Sequence, residues 1–203
     1  MKAFDFVSNW NKKALIHPTG FIYIDFPQEN KSSLCRLHIW PDKKISAPGC
    51  THPIHNHVFN LESHVLKGAI TNNIYIFIPS SEDVHYQKHT VQKMGVESIL
   101  YPTNEYGNVV LKSEKIYQPT NSYFMKAGIF HEPISHGLAV TIVKMSFVED
   151  EMDTSTILVP KGKSVKPDNE FKRDSFSELF IWNCIEQALD GLDAGSLSLI
   201  FKY

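Results

Sequence analysis

Residues 138–148, LAVTIVKMSFV, contain a single charged side chain, Lys144. A run this apolar and rich in β-branched residues is far short of the roughly 20 residues that span a bilayer. It reads as a central strand. A central strand needs a neighbour on each side, and the rest of the chain has to supply them.

The first two-thirds of the chain does so. LCRLHIW (34–40) alternates, with Arg36, His38 and Trp40 on one face and Cys35, Leu37 and Ile39 on the other. FIYIDF (21–26) is rich in aromatic and β-branched residues. Residues 63–79 read as two strand runs around Gly68 and Asn72–Asn73, and 108–119 and 121–133 as further strands bounded by turn residues. Many short strands with frequent turn signals predict an all-β sandwich or barrel.

The last third differs. Residues 159–174 are polar, with a glycine and two prolines, and read as a loop. Residues 175–192 read as a helix: Ser175 and Glu178 have capping-box spacing, Phe176, Leu179, Trp182, Ile185 and Leu189 recur at helical spacing, and Gly191 stops it. The expected organisation is therefore a barrel domain over 1–158, with a loop and helix over 159–203 packed on its outside.

The 203 residues suffice for one domain with its own core. A net charge of −2 gives no reason to expect nucleic acid or an anionic membrane as partner. The N-terminus, MKAFDFVSNWNKK, has no signal-peptide apolar region. Three cysteines without framework spacing point to a reducing cytoplasm. The expected partner is a small molecule, and a homodimer stays open.

Four of the ten histidines fall within THPIHNHVFNLESHVLKG (51–68): His52, His55, His57 and His64. On a strand, His55 and His57 point the same way and offer two imidazoles to one metal. Neutral imidazole suits iron, zinc, copper and nickel. Glu62, His64, His85, His89, His131 and His136 are candidates for the remaining ligands. His131 stands out for its setting, KAGIFHEP, just before the apolar strand.

HNHVFNLESHVLKG resembles the first motif of the cupin superfamily through His55, His57, Glu62 and Gly68. KAGIFHEPIS resembles the second through Gly128 and His131, with Lys126 and Ser135 replacing the motif's proline and asparagine. The resemblance covers about residues 20–148. The finer pattern is similar to a group of bacterial cupins distantly similar to cysteine dioxygenase. It implies a double-stranded β-helix, a cupin or jelly-roll barrel, with a divalent metal at its mouth. The metal would be Fe(II), with Zn, Mn and Ni as alternatives. Its implied ligands are His55, His57 and His131, with Glu62 as a fourth.

Two departures bear on this. Counted forward from His57, Glu62 has an accepted spacing; counted back from Gly68, the glutamate position falls on Leu61. A one-residue slip turns a side chain to the opposite face. The Ser-x-His-x-Tyr set of thiol dioxygenases is also absent from the strand after His131.

Arg36 and His38 are the expected catalytic candidates. Arg36 would hold a substrate carboxylate, with a structural ion pair as the alternative, and Glu62 as the obvious mate. His38 would orient substrate or sit satisfied in the core. Tyr75 and Tyr123 would lend a hydroxyl or simply pack; His85 and His89 should be exposed. The expected function is that of an iron(II) oxygenase acting on a small carboxylate-bearing or thiol substrate. A binding or regulatory cupin and a metal-assisted isomerase are the alternatives.

Overall fold

A computed structural model describes residues 1–10, 12–28, 32–43, 45, 53–147, 154–163 and 170–200. The first sheet is built from β1 (Ala14–Ile16), β2 (Ile22–Pro27), β3 (Ser33–Trp40), β10 (Ala139–Phe147), β4 (Phe59–Lys67) and β8 (Ser122–Met125), in that spatial order. The second contains β11 (Thr156–Pro160), β6 (Tyr86–Met94), β7 (Glu97–Tyr117), β5 (Ile70–Pro79) and β9 (Phe130–Ser135), with β12 (Glu170–Lys172) against β7. All pairings are antiparallel.

The connectivity is interleaved. The order β3-β10-β4-β8 faces a second order made by the segment around His55, then β9, β5 and β7, because His55 bridges His131 of β9. This interleaving is the double-stranded β-helix expected from the sequence. His55 also bridges Ile157 of β11. The second sheet therefore closes on itself, running β5, β9, the His55 segment, β11, β6, β7 and back to β5. Ile54, Phe130 and Leu158 pack inside that closure with Phe77 and Tyr86.

The run at 138–148 behaves as its composition demands. β10 lies between β3 and β4, and Ala139 through Val143 are all buried. Val140 and Ile142 join Leu37 and Ile39 of β3 in the largest core cluster. That cluster lies under two helices, α1 (Ala3–Ser8) and α2 (Glu178–Leu189), which contribute Ala3, Val7, Ile181 and Ile185. Thr141, Val143 and Met145 turn the other way and line the lumen. Burial on both faces, at roughly 25 cal/mol per Å², favours the central place of this strand.

Several expectations need correcting. α2 is capped by Ser177, whose Oγ accepts from Phe180 N–H at 3.3 Å, rather than by Ser175. The boundary at 158/159 falls inside β11, so the expected loop begins in a strand and later carries β12. Backbone pairing on an edge of β7 makes β12, which its polar sequence does not announce. The turn between β4 and β5 is made at Gly68 alone; Asn72 and Asn73 lie buried within β5. Among the described residues no helix is long and apolar enough to cross a membrane.

Gly68 has φ +73, and a Cβ there would collide with the Leu138 carbonyl oxygen and sit 2.9 Å from the Ala139 Cα. Gly95 has φ +61 but open space around it. Gly95→Ala should cost about 1–2 kcal/mol of backbone strain alone, and Gly68→Ala measurably more because the clash adds to it. Urea midpoints of the two variants check this ordering.

Candidate metal centre

An exchange of backbone hydrogen bonds assembles the centre. His55 N–H donates to the His131 carbonyl at 3.0 Å, and His131 N–H donates to the His55 carbonyl at 2.8 Å. On the far side Asn56 N–H donates to Thr156 O at 3.0 Å and Leu158 N–H to Ile54 O at 2.9 Å. Gly128 N–H donates to His57 O at 2.8 Å. The two motifs, more than 70 residues apart (131 − 57 = 74), become neighbouring strands. Alternation puts His55 and His57 on one face, beside His131.

The three histidines each offer a ligand atom within 4.8 Å of the others. His55 Nδ1–H donates to Pro53 O at 2.8 Å, and His131 Nδ1–H donates to Asn72 Oδ1 at 2.8 Å. Those bonds fix both tautomers and leave each Nε2 with a free lone pair, the arrangement that orients imidazoles on a metal. His57 Nε2 lies 3.0 Å from His131 Nε2. Two nitrogens each about 2.1 Å from one ion and at right angles about it would be about 3.0 Å apart. Burial holds the pKa values of all three well or measurably below the ordinary histidine value, and for His57 and His131 neighbouring histidines push the same way. They are therefore neutral imidazoles at pH 7. By donor type, spacing and tautomer, the residues fit a divalent metal.

Glu62 is not in this set. β4 points Leu61, Ser63 and Val65 inward, with Leu61 only 4% exposed and lining the lumen. Glu62 faces out, its Oε1 3.1 Å from His64 Nε2. The count back from Gly68 describes the observed register. The strand's one irregularity, between Val140 and Thr141 of its partner β10, comes after position 62 and leaves its direction unchanged.

Arg36 does face the lumen, with His38 and Trp40. It is already paired, however. Its Nε donates to Asp25 Oδ1 at 2.6 Å and its Nη2 to Asp25 Oδ2 at 3.2 Å, while its guanidinium stacks 4.2 Å above the Tyr23 ring. The expectation of Glu62 as the obvious mate is overturned: Asp25, directly opposite Arg36 on β2, takes that place. The signal was present in FIYIDF, since consecutive antiparallel strands set 25 across from 36.

His38 is buried without a partner for Nε2 among the described residues, and Trp40 Nε1 is in the same state. His38 packs on Phe21 with ring centres 4.4 Å apart. Tyr123 also lines the lumen, and burial raises its hydroxyl pKa to about 12, so it stays a neutral phenol. Tyr75 instead donates to Glu132 at 2.9 Å. His136 is held by Thr71 Oγ1 at 2.6 Å. His85 is exposed as expected, but His89 is buried within β6. His52 lies outside the described residues.

One histidine was missed. His17 sits beside the triad, its ring centre 6.0 Å from that of His55. Its Nδ1 faces Thr19 Oγ1 at 2.8 Å and accepts from Thr19 N–H at 3.2 Å, which leaves Nε2 as the protonated nitrogen and a donor rather than a ligand. HPTG reads as a turn, and nothing in its local pattern places it at the centre.

The triad adjoins two spaces: His55 and His57 line both, and His131 lines the smaller one. The inner is a cavity of about 30 Å³, walled by Leu61, Ile70, Val143 and Met145 as well as His38 and Thr141. The other is a vestibule of about 500 Å³, whose lining includes His17, Tyr23 and Arg173. His17, Arg36, His55 and His57 line both.

The sequence matches no protein-family model and no curated protein. Among solved structures it is similar to an RmlC-like cupin from Shewanella frigidimarina, at 11% identity and a TM-score of 0.40, over 70% of this chain and 88% of that one. It is similar to KdgF from Halomonas, at 10% identity and a TM-score of 0.41, over 70% and 94%. It is also similar to hydroxypropylphosphonic acid epoxidase from S. wedmorenis, at 13% identity and a TM-score of 0.40, over 66% and 55%.

Purified protein should carry about one metal ion per chain, and Glu62→Gln should carry as much. His57→Ala should lose it, and Asn72→Ala should lower metal affinity roughly 10–100-fold by freeing the His131 ring. Elemental analysis and competition with a chromogenic chelator measure these. By its own interleaved strand order, the chain has a double-stranded β-helix, or jelly-roll, fold with a buried three-histidine cluster where the two motifs meet.

Proposed function

We propose that the protein is an iron(II)-dependent dioxygenase acting on a small acid. The observation that carries this reading is that His55 and His57 line both a small inner cavity of about 30 Å³, shared with His131, and a vestibule of about 500 Å³. The inner space suits one or two water-sized molecules. The vestibule suits a metabolite-sized one.

The donor set supports a metal that reacts. Three neutral imidazoles cancel none of a divalent ion's charge, and three protein ligands leave positions for exogenous ones. Iron(II) held there would supply a place where dioxygen and substrate meet. Both oxygen atoms would enter the substrate, so no external reductant is required.

The chain's own groups then have defined tasks. His55 and His131 are held in their ligating tautomers by Pro53 O and Asn72 Oδ1. Leu61, Ile70, Val143 and Met145 make much of the inner wall apolar. His38, whose Nε2 has no partner among the described residues, offers one hydrogen bond toward the inner cavity, and burial keeps it neutral by holding its pKa well below the ordinary value. It takes the place of the Ser-x-His-x-Tyr set, since the inward positions of β10 are Thr141, Val143 and Met145.

Oxygen consumption by iron(II)-loaded protein with a panel of small thiols, amino acids and hydroxy acids tests the reading. Substrate-dependent uptake should appear with at least one class and vanish in His57→Ala. In His38→Phe it should fall by about 10²–10⁴-fold if His38 moves a proton, with metal content unchanged. Tight metal binding with no uptake across the panel would favour a binding or regulatory cupin instead.

A further inference from the structure

Arg173 is the most buried cation of the vestibule, with 6% of its surface exposed. It follows β12 and lies outside both motifs. Its backbone is tied on both sides: its N–H donates to Val96 O at 3.1 Å, and its carbonyl accepts from Ile16 N–H at 2.9 Å. Its side chain is held equally firmly. Nη1 donates to Val96 O at 3.2 Å and Nη2 to Ser98 Oγ at 2.6 Å, and Tyr23 lines the same vestibule.

Both acceptors are neutral. A buried guanidinium normally requires an anion, because an uncompensated buried charge is costly. The nearby carboxylate, Asp25, is engaged by both arms of Arg36. Among the described residues no carboxylate pairs with Arg173. Among the described residues, the charged ones lining the vestibule are Arg36, Lys93 and Arg173 against Asp25, a local sum of +2 (three positive, one negative). Arginine has five N–H donors, and the neutral acceptors leave some of them unused.

We infer that Arg173, with Tyr23 and Lys93, forms an oxyanion-binding subsite in the vestibule, which seats the acidic end of a small substrate while its other end reaches the histidine triad. The ligand is a small organic acid whose carboxylate or phosphoryl group lies on the Arg173 guanidinium. Arg36 is not this anchor: its fork is filled, and its task is to hold Tyr23 and Asp25 in place. The inference deepens the proposed function by naming what the vestibule binds. It rests on the vestibule being the approach to the triad.

The test uses the full chain and two probes, inorganic phosphate and succinate, by isothermal titration. At least one should bind the wild-type protein, and which one binds separates a phosphoryl from a carboxylate preference. Arg173→Gln should weaken that binding by about tenfold or more while metal content stays at the wild-type level. Undiminished binding in Arg173→Gln, or no binding of either probe to the wild type, overturns the subsite. Should Arg173→Gln not fold, the Arg173 Nε–Hε resonance of the wild-type protein decides: it must shift on adding the bound probe, and a resonance that stays in place overturns the inference. Anion binding by a protein that takes up no metal would sink the dioxygenase reading and leave the subsite standing.

Discussion

The structure depends on the paired backbone hydrogen bonds between His55 and His131. Two ligands supplied by distant parts of the chain need a common frame, and this exchange is the frame. It turns the segment around His55 into a strand beside β9, so the spacing between rings follows from sheet geometry. The same segment is gripped by β11 on its other edge. A free loop carrying His-x-His would lose ordering entropy on binding metal; here that cost is met during folding.

The barrel provides rigidity through its doubly buried strands. β3 and β10 present Leu37, Ile39, Val140 and Ile142 to the helices and Arg36, His38, Thr141 and Val143 to the lumen. Moving a lumen residue would require moving the residue behind it, which close packing resists. Polar groups can therefore stand in the lumen at fixed positions. Some have no partner there among the described residues, as is the case for His38 Nε2 and Trp40 Nε1. Unpaired buried donors destabilise a fold, and their clustering around a cavity beside three imidazoles is what a ligand-binding chamber requires.

Much of this was legible in the sequence, and the exceptions have physical causes. Strand alternation correctly assigned both faces of residues 34–40, and motif spacing brought together His55, His57 and His131. Glu62 was ambiguous because two counts disagreed by one residue, and only the strand register shows which side of the pleat it takes. Asp25 was overlooked as the mate of Arg36, although hairpin pairing of adjacent strands implied it. His17 and Arg173 were not readable at all. Each reaches the site through long-range packing, one from a turn before β2 and one from the turn just after the short strand β12. His89 was misread for a similar reason: polar neighbours hid a strand, and its pairing opposite Pro102 buries it.

The central claim is that His55, His57 and His131 hold one metal ion through Nε2. Diffraction data from crystals of the purified protein, collected on both sides of the absorption edge of the metal it carries, test this most directly. The account predicts one anomalous peak per chain, about 2.1 Å from all three Nε2 atoms and away from Glu62. A peak coordinated by other residues, or no peak in crystals soaked with iron(II) or zinc, would contradict it.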